Sequence, residues 1–401
     1  MWDWYTYFIF VFTLLISFPF LWVFDRQKKF NGALLIAGLL PTFLLLALRG
    51  RTVGVDLEAY EIHIQLAKDF QLSDLVLSFG EPIAEIIYRV SFLLGGLRAF
   101  IIITALLEYI FIFFAFKQLH KCQIDISIIF IFFYGVVVLR SFNIVLNCLA
   151  ITCSLCAYVN LLCTDKKSKY MYWLYTLIAI GLHNTAVINI PIYFLCAPIK
   201  SFKTVKDITF IKNSLKIKIL KNRVSYQRYL SRDLVKRTLL MIISVFVVYV
   251  LLLQFIDLIK NFNNGQYSQY ESSDSGIRLG IILSKIPFLL FVWFFRKSLN
   301  RQFNINYIPF LLLLFFDVIF AQTRYIFNSF QRFSMYTDLG RIFLIGFICM
   351  ALYNKYKHYK GIVIFTAVIY GIFISFSYWL YTYEILGGDG NGIGLMPYSI
   401  W

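Results

Sequence analysis

The chain has 401 residues, 60% of them hydrophobic and 15% charged, with a formal net charge of +17. Soluble domains average about 45–50% apolar, so an ordinary soluble enzyme is excluded, and the positive charge follows lysines set between apolar runs rather than a nucleic-acid surface. The seven cysteines lie mostly within those runs, which implies no disulfide framework.

A hydrocarbon core of roughly 30 Å needs about 20 apolar residues per helix. The opening MWDWYTY lacks the basic region of a cleaved signal peptide. A first span is expected over 4–24, and the charges of DRQKK after it favour an N-terminus outside. A second span follows over 30–48.

Residues 49–97 form an outer segment. In LRGRTVGVDLEAY, Arg49 and Arg51 sit where the chain leaves the apolar run, and Asp56 is placed as the N-cap of a helix. Asp56, Tyr60 and His63 then share one helical face. The stretch EPIAEIIYRVSFLLGG predicts a short helix along the outer interface, with Pro82 at its start and Gly95-Gly96 at its end. Glu81, Glu85 and Arg89 form a polar stripe on it.

Further spans are expected over 98–117, 124–140 and 143–163. The segment 170–199 reads as two short helices meeting at GLHNT, where His183 sits. Residues 200–237 are a basic cytoplasmic segment, accounted for by the positive-inside bias and attraction to anionic lipid. The remaining spans fall over 238–257, 277–296, 305–321, 338–354 and 361–381. The expected fold is all-α: a single polytopic membrane domain over 1–401 with about twelve spans (10–13), short outer helices and both termini outside.

The proposed cytoplasmic loops hold 26 of the 38 lysines and arginines. Nine of the other twelve are arginine: Arg49, Arg51, Arg89, Arg98, Arg140, Arg278, Arg324, Arg332 and Arg341. Guanidinium is a flat fork that pairs two phosphate oxygens and is less strongly hydrated than ammonium. An outer arginine cluster therefore points to a phosphate or diphosphate at the membrane surface. The stretch QTRYIFNSFQRFSMYTDLGR adds Tyr336 and Asp338 beside Arg324 and Arg332. Asp56, Glu58 and Glu61 have no recognised ligand spacing, and no metal or other cofactor is expected.

These pieces, in order, resemble the EpsG/Wzy-type polymerases of O-antigen, capsule and exopolysaccharide. The likeness runs through LRGRTVGVDLEAY, EPIAEIIYRVSFLLGG, LRSFNIVLNCLAI, GLHNTAVINIPIYFL and FQRFSMYTDLGRIFL. The family usually shows Arg-Gln where this chain has Arg140-Ser141. The resemblance implies a GT-C-like architecture in the bacterial inner membrane, with the active face periplasmic. It implies transfer of a growing glycan from undecaprenyl diphosphate to the next lipid-linked repeat unit, and a chain-length-determining co-polymerase as partner. On that reading Arg49, Arg51, Arg324 and Arg332 meet the headgroup, while Tyr60, Glu81, Tyr336 and Asp338 contact substrate. Arg140, Asp56 and His183 are expected to be catalytic. A carboxylate near arginines should have a lowered pKa and be a weak base, which favours His183 as base with Asp56 orienting the acceptor. The alternatives are an O-antigen ligase, for which the outer segments 258–276 and 322–337 are short, and a non-enzymatic flippase, for which midspan charges are few.

Overall fold

The computed structural model describes residues 4–69, 81–122, 124–162, 166–196, 289–290, 292–297, 299, 307–323, 331–355 and 398–400. Among these the architecture is helical throughout, with one isolated β-bridge between Arg49 and Ile400. The basic segment 200–237, the spans placed at 238–257 and 361–381, most of 277–296, and Arg324 lie outside the described residues.

The first helices are α1 (Trp4–Asp25) and α2 (Gly32–Ala47), packed on each other. Each contains a proline, Pro19 and Pro41, which neighbouring helices make tolerable at membrane depth. Asn31 caps α2 through its side chain, which accepts from the Leu34 N–H at 3.1 Å. The outer segment then forms α3 (Leu57–Leu66) and α4 (Pro82–Leu94). Pro82 opens α4, and Gly95 and Gly96 close it at φ 127° and 70°, backbone that favours glycine.

Next come α5 (Leu97–Lys121) and α6 (Ile126–Phe133), the latter continuing as a π-helical stretch, Tyr134–Val138, and a 3₁₀ turn, Arg140–Phe142. Helix α7 (Val145–Asn160) is buried along almost its whole length and packs against α5 and α8 (Lys166–Leu182). The spine made by α6, the turn and α7 is thus the centre of the described structure. Its start is pinned by Asp25, whose carboxylate accepts from the Ile126 and Ser127 N–H groups, each at 2.9 Å. Negative charge at a helix N-terminus is favourable there.

As expected at GLHNT, α8 stops at Leu182, and after a 3₁₀ stretch, Asn184–Ile188, the chain resumes as α9 (Asn189–Cys196). The rest comprises α10 (Ile308–Thr323), α11 (Gln331–Thr337) and α12 (Leu339–Lys355). Helix α10 packs on α11 and α12, and α11 reaches the Asn184–Ile188 stretch and α7. Three described stretches are long and apolar enough to cross a membrane: Phe8–Asp25, Leu97–Lys121 and Arg332–Leu352. Shorter apolar helices, Gly32–Ala47, Ile126–Phe142, Val145–Asn160 and Ile308–Asp317, accompany them.

The segment around Tyr398 closes one corner. Its N–H donates to Thr6 Oγ1 at 2.7 Å and its hydroxyl to the Leu45 carbonyl at 2.9 Å. Its ring stands edge-on to Phe10 and Phe142.

Candidate active site

The break between α8 and α9 sets the site. His183 is extended backbone at φ −157°, so its side chain leaves the helical path. Its Nδ1 lies 2.9 Å from Glu81 Oε1, which also accepts the Asn184 N–H at 3.0 Å. Arg332 Nη1 donates to His183 Nε2 at 3.4 Å. A guanidinium only donates, so Nε2 presents its lone pair and Nδ1 carries the hydrogen toward the carboxylate. The Thr185 N–H is farther from Nδ1, at 3.4 Å. The resemblance implied a substrate contact for Glu81; in the fold its Oε1 meets the imidazole.

Burial alone would raise the Glu81 pKa. The His183 hydrogen bond and charge, the Asn184 N–H and Arg332 outweigh it and hold the carboxyl below its ordinary value. Asp56 goes the other way. Burial raises its pKa, and Arg332 only partly offsets the rise. This corrects the expectation that nearby arginines lower it, because desolvation outweighs the one cation near enough to matter. Asp56 stands at the N-cap position of α3 but its side chain makes no capping bond, since its own backbone is helical at φ −73° and ψ −7°. Instead its N–H donates to Asn143 Oδ1 at 2.8 Å.

Behind His183 lies a neutral polar group. Thr185 Oγ1 and the Tyr336 hydroxyl both donate to Asn147 Oδ1, at 3.2 and 3.1 Å. Thr185 Oγ1 is also 3.3 Å from His183 Nδ1. Tyr336, expected to contact substrate, is fully buried, with its hydroxyl on Asn147 behind the histidine loop. Tyr60 is partly buried with its ring 5.1 Å from that of Phe100; burial and the Asp56 charge push its hydroxyl pKa up. His63 does not join the group; it stacks on Tyr88 at 5.4 Å between centroids.

Asp338 is likewise not a free sugar ligand. It is buried, accepts from Arg341 Nη2 at 2.7 Å and lies 3.7 Å from Arg140 Nη1. It is the shared counter-ion of two arginines. Ser141 beside Arg140 donates to Glu108 Oε1 at 2.7 Å, and its carbonyl accepts from Arg49 Nη1 at 3.0 Å.

Arg49, expected to meet a headgroup, holds this carbonyl instead. Arg49 is 1% exposed, with its guanidinium 5.3 Å above the Phe142 ring. Arg51 is exposed and pairs with Glu61. Arg89 donates to the carbonyls of Ala67 and Lys68, and Arg98 to that of Arg49. The structure therefore brings together Asp56, Tyr60, Glu81, His183 and Arg332, with Arg140 on its 3₁₀ turn paired to Asp338 between α11 and α12, while Arg49 is engaged by the Ser141 carbonyl and Arg51 by Glu61.

Asn143, Asn147 and Thr185 were not among the residues the sequence singled out. A signal existed: Asn143 and Asn147 are four apart in an apolar run, on one helical face, and polar groups at membrane depth often mark function.

No curated protein and no solved structure matches the chain. Residues 33–400, from the second helix to the bridge at Ile400, match the EpsG family. With a match of that extent and helices apolar enough to cross a membrane, the chain belongs to the EpsG family, whose membership points to a membrane-embedded function of the polysaccharide-polymerase type.

Proposed function

We propose that the protein is a glycosyltransferase that polymerises a surface polysaccharide in the bacterial inner membrane. The growing glycan leaves undecaprenyl diphosphate and joins the non-reducing sugar of the next lipid-linked repeat unit at the periplasmic face. The outer placement rests on the arginine-rich, lysine-poor character of the segments that carry the site.

The observation that carries the reading is the Glu81–His183–Arg332 array. It pairs an oriented imidazole lone pair with a cation suited to diphosphate. The acceptor hydroxyl oxygen attacks the anomeric carbon as the carbon–oxygen bond to diphosphate breaks. The hydroxyl proton passes to His183 Nε2, and the leaving diphosphate takes the bonding electrons. Glu81 keeps Nδ1 protonated and stabilises the imidazolium that forms, as a carboxylate does behind a general-base histidine. Arg332 meets the negative charge that develops on the leaving group, with Arg140 as a second cation for it. Asp56 faces the positive charge that grows at the anomeric carbon, or orients the acceptor.

Purified protein given a synthetic lipid-linked repeat unit should build a ladder of products on a gel. His183→Gln should keep substrate binding and lose roughly 10²–10⁴-fold in rate. An active His183→Gln beside a folded but inactive Asp56→Asn would move the base to Asp56.

A further inference from the structure

The contact between Arg332 and His183 has a consequence for the order of events, given the reaction proposed above. Nδ1 of His183 is held by Glu81 at 2.9 Å, so Nε2 carries the one lone pair able to take a proton. That lone pair faces Arg332 Nη1 at 3.4 Å. An acceptor hydroxyl cannot hand its proton to a nitrogen whose lone pair is engaged by a guanidinium.

Within the fold Asp56 is another anion that acts on Arg332, and the Arg332–His183 contact stands in its presence. The charged groups about His183 are Glu81 ahead of α4, Asp56 at the head of α3 and Arg332 on α11. The neutral ones are Thr185, with Asn147 and Tyr336 behind it. Glu81 is already engaged by His183 and the Asn184 N–H. What displaces a guanidinium from a neutral imidazole nitrogen is a stronger acceptor, and a diphosphate offers paired, charged oxygens that match its fork.

We propose that Arg332 is a substrate-displaced cap on the base: the donor's diphosphate binds first, draws Arg332 onto itself and exposes Nε2 for the acceptor hydroxyl. Donor-before-acceptor order is then built into one side chain. The same residue that binds the leaving group holds the base shut until that group is in place. A half-loaded site carrying only the acceptor does not activate its hydroxyl.

The test reads the lone pair directly and needs no turnover. Diethyl pyrocarbonate acylates unprotonated imidazole nitrogen, and peptide mass spectrometry gives the rate at each histidine. The full-length protein in detergent is labelled in metal-free buffer with and without inorganic diphosphate. Binding of diphosphate is measured separately by calorimetry. Exposed His63 serves as the internal reference. In the wild type, saturating diphosphate should speed labelling of His183 by about tenfold or more, the scale of one hydrogen bond to a charged group. Arg332→Met, which has no donor, should label as fast without diphosphate and not respond to it. The wild-type arm stands even if the variant folds poorly. Diphosphate that binds yet leaves His183 labelling unchanged, or slows it, overturns the cap while the diphosphate role of Arg332 survives. Arg332→Met labelling no faster than wild type in the absence of diphosphate overturns it as well. Absence of diphosphate binding in the wild type refutes the headgroup role itself, and the ordering falls with it.

Discussion

Two sets of arginines, the corner at Arg49, Arg89 and Arg98 and the group at Arg140, Arg332 and Arg341, differ in what their guanidinium forks touch. At the corner the partners are main-chain carbonyls: Ser141 for Arg49, Ala67 and Lys68 for Arg89, Arg49 itself for Arg98. In the other group they are side chains, Asp338 and His183. A carbonyl in a packed turn cannot be exchanged for a ligand without moving the backbone. A carboxylate or imidazole partner gives way when a better anion arrives. The same residue type thus staples the fold in one place and, on the proposed function, is held exchangeably for substrate in another.

The largest effect belongs to Arg332. Arg332→Lys should lose about a hundred- to a thousandfold in polymer formation, because an ammonium cannot reproduce the paired contact. Its thermal midpoint should stay near wild type, as read by unfolding in detergent. Arg49→Leu should do the reverse. It leaves the buried Ser141 carbonyl without its donor, which costs about 1–3 kcal/mol, so yield and thermal midpoint fall while the rate per folded molecule holds. A folded, inactive Arg49→Leu would merge the two groups.

Gly54 lies between them. It sits at φ 113°, and a Cβ there would fall 2.0 Å from the Phe142 carbonyl oxygen. Gly54→Ala should destabilise by about 1–3 kcal/mol and lower activity too, since the strain is relayed to Arg140 two residues before Phe142. A variant with unchanged melting and laddering would disconnect the corner from the site.

Asp56 gives a smaller, pH-dependent effect. Its raised pKa means that ionised Asp56 opposes folding: its favourable contribution is full below the unfolded value of about 3.9 and is lost as pH rises through the folded one. Asp56→Asn should therefore raise the thermal midpoint at pH 7, with the gain vanishing only well below the unfolded value. A gain that persists there would assign the effect to something other than ionisation. The smallest change belongs to Arg51. An exposed pair such as Arg51–Glu61 is worth about 0–1 kcal/mol, so Arg51→Gln should leave both melting and activity within error.

What the sequence made legible was local. The break at GLHNT, the Pro82 start and the Gly95-Gly96 stop each follow from residues within one turn of the event. The position of Asp56 at a helix start was legible for the same reason, and the missing capping bond was not, because it depends on Asn143 taking the Asp56 N–H. Arg49 after an apolar run reads as a residue at the membrane surface. Its burial requires Ser141 and Phe142, 92 and 93 positions on, which no local pattern announces. For Tyr336 and Asp338 the sequence shows residue type and neighbourhood, while the Asn147 contact of one and the Arg341 contact of the other are visible only in the fold.

Tyr398 carries a consequence for biosynthesis. Its N–H meets Thr6 Oγ1, a partner 392 positions earlier, and its ring meets Phe142, two residues past Arg140. A ribosome adding about 5–20 residues per second makes Thr6 some 20–80 seconds before that contact becomes possible. The segments that carry Arg49 and Arg140 are therefore made well before the residue that closes over them. During that interval the nascent chain holds Phe10 and Phe142 without the ring that later covers both. Completion of the corner is a post-insertion event, timed by elongation.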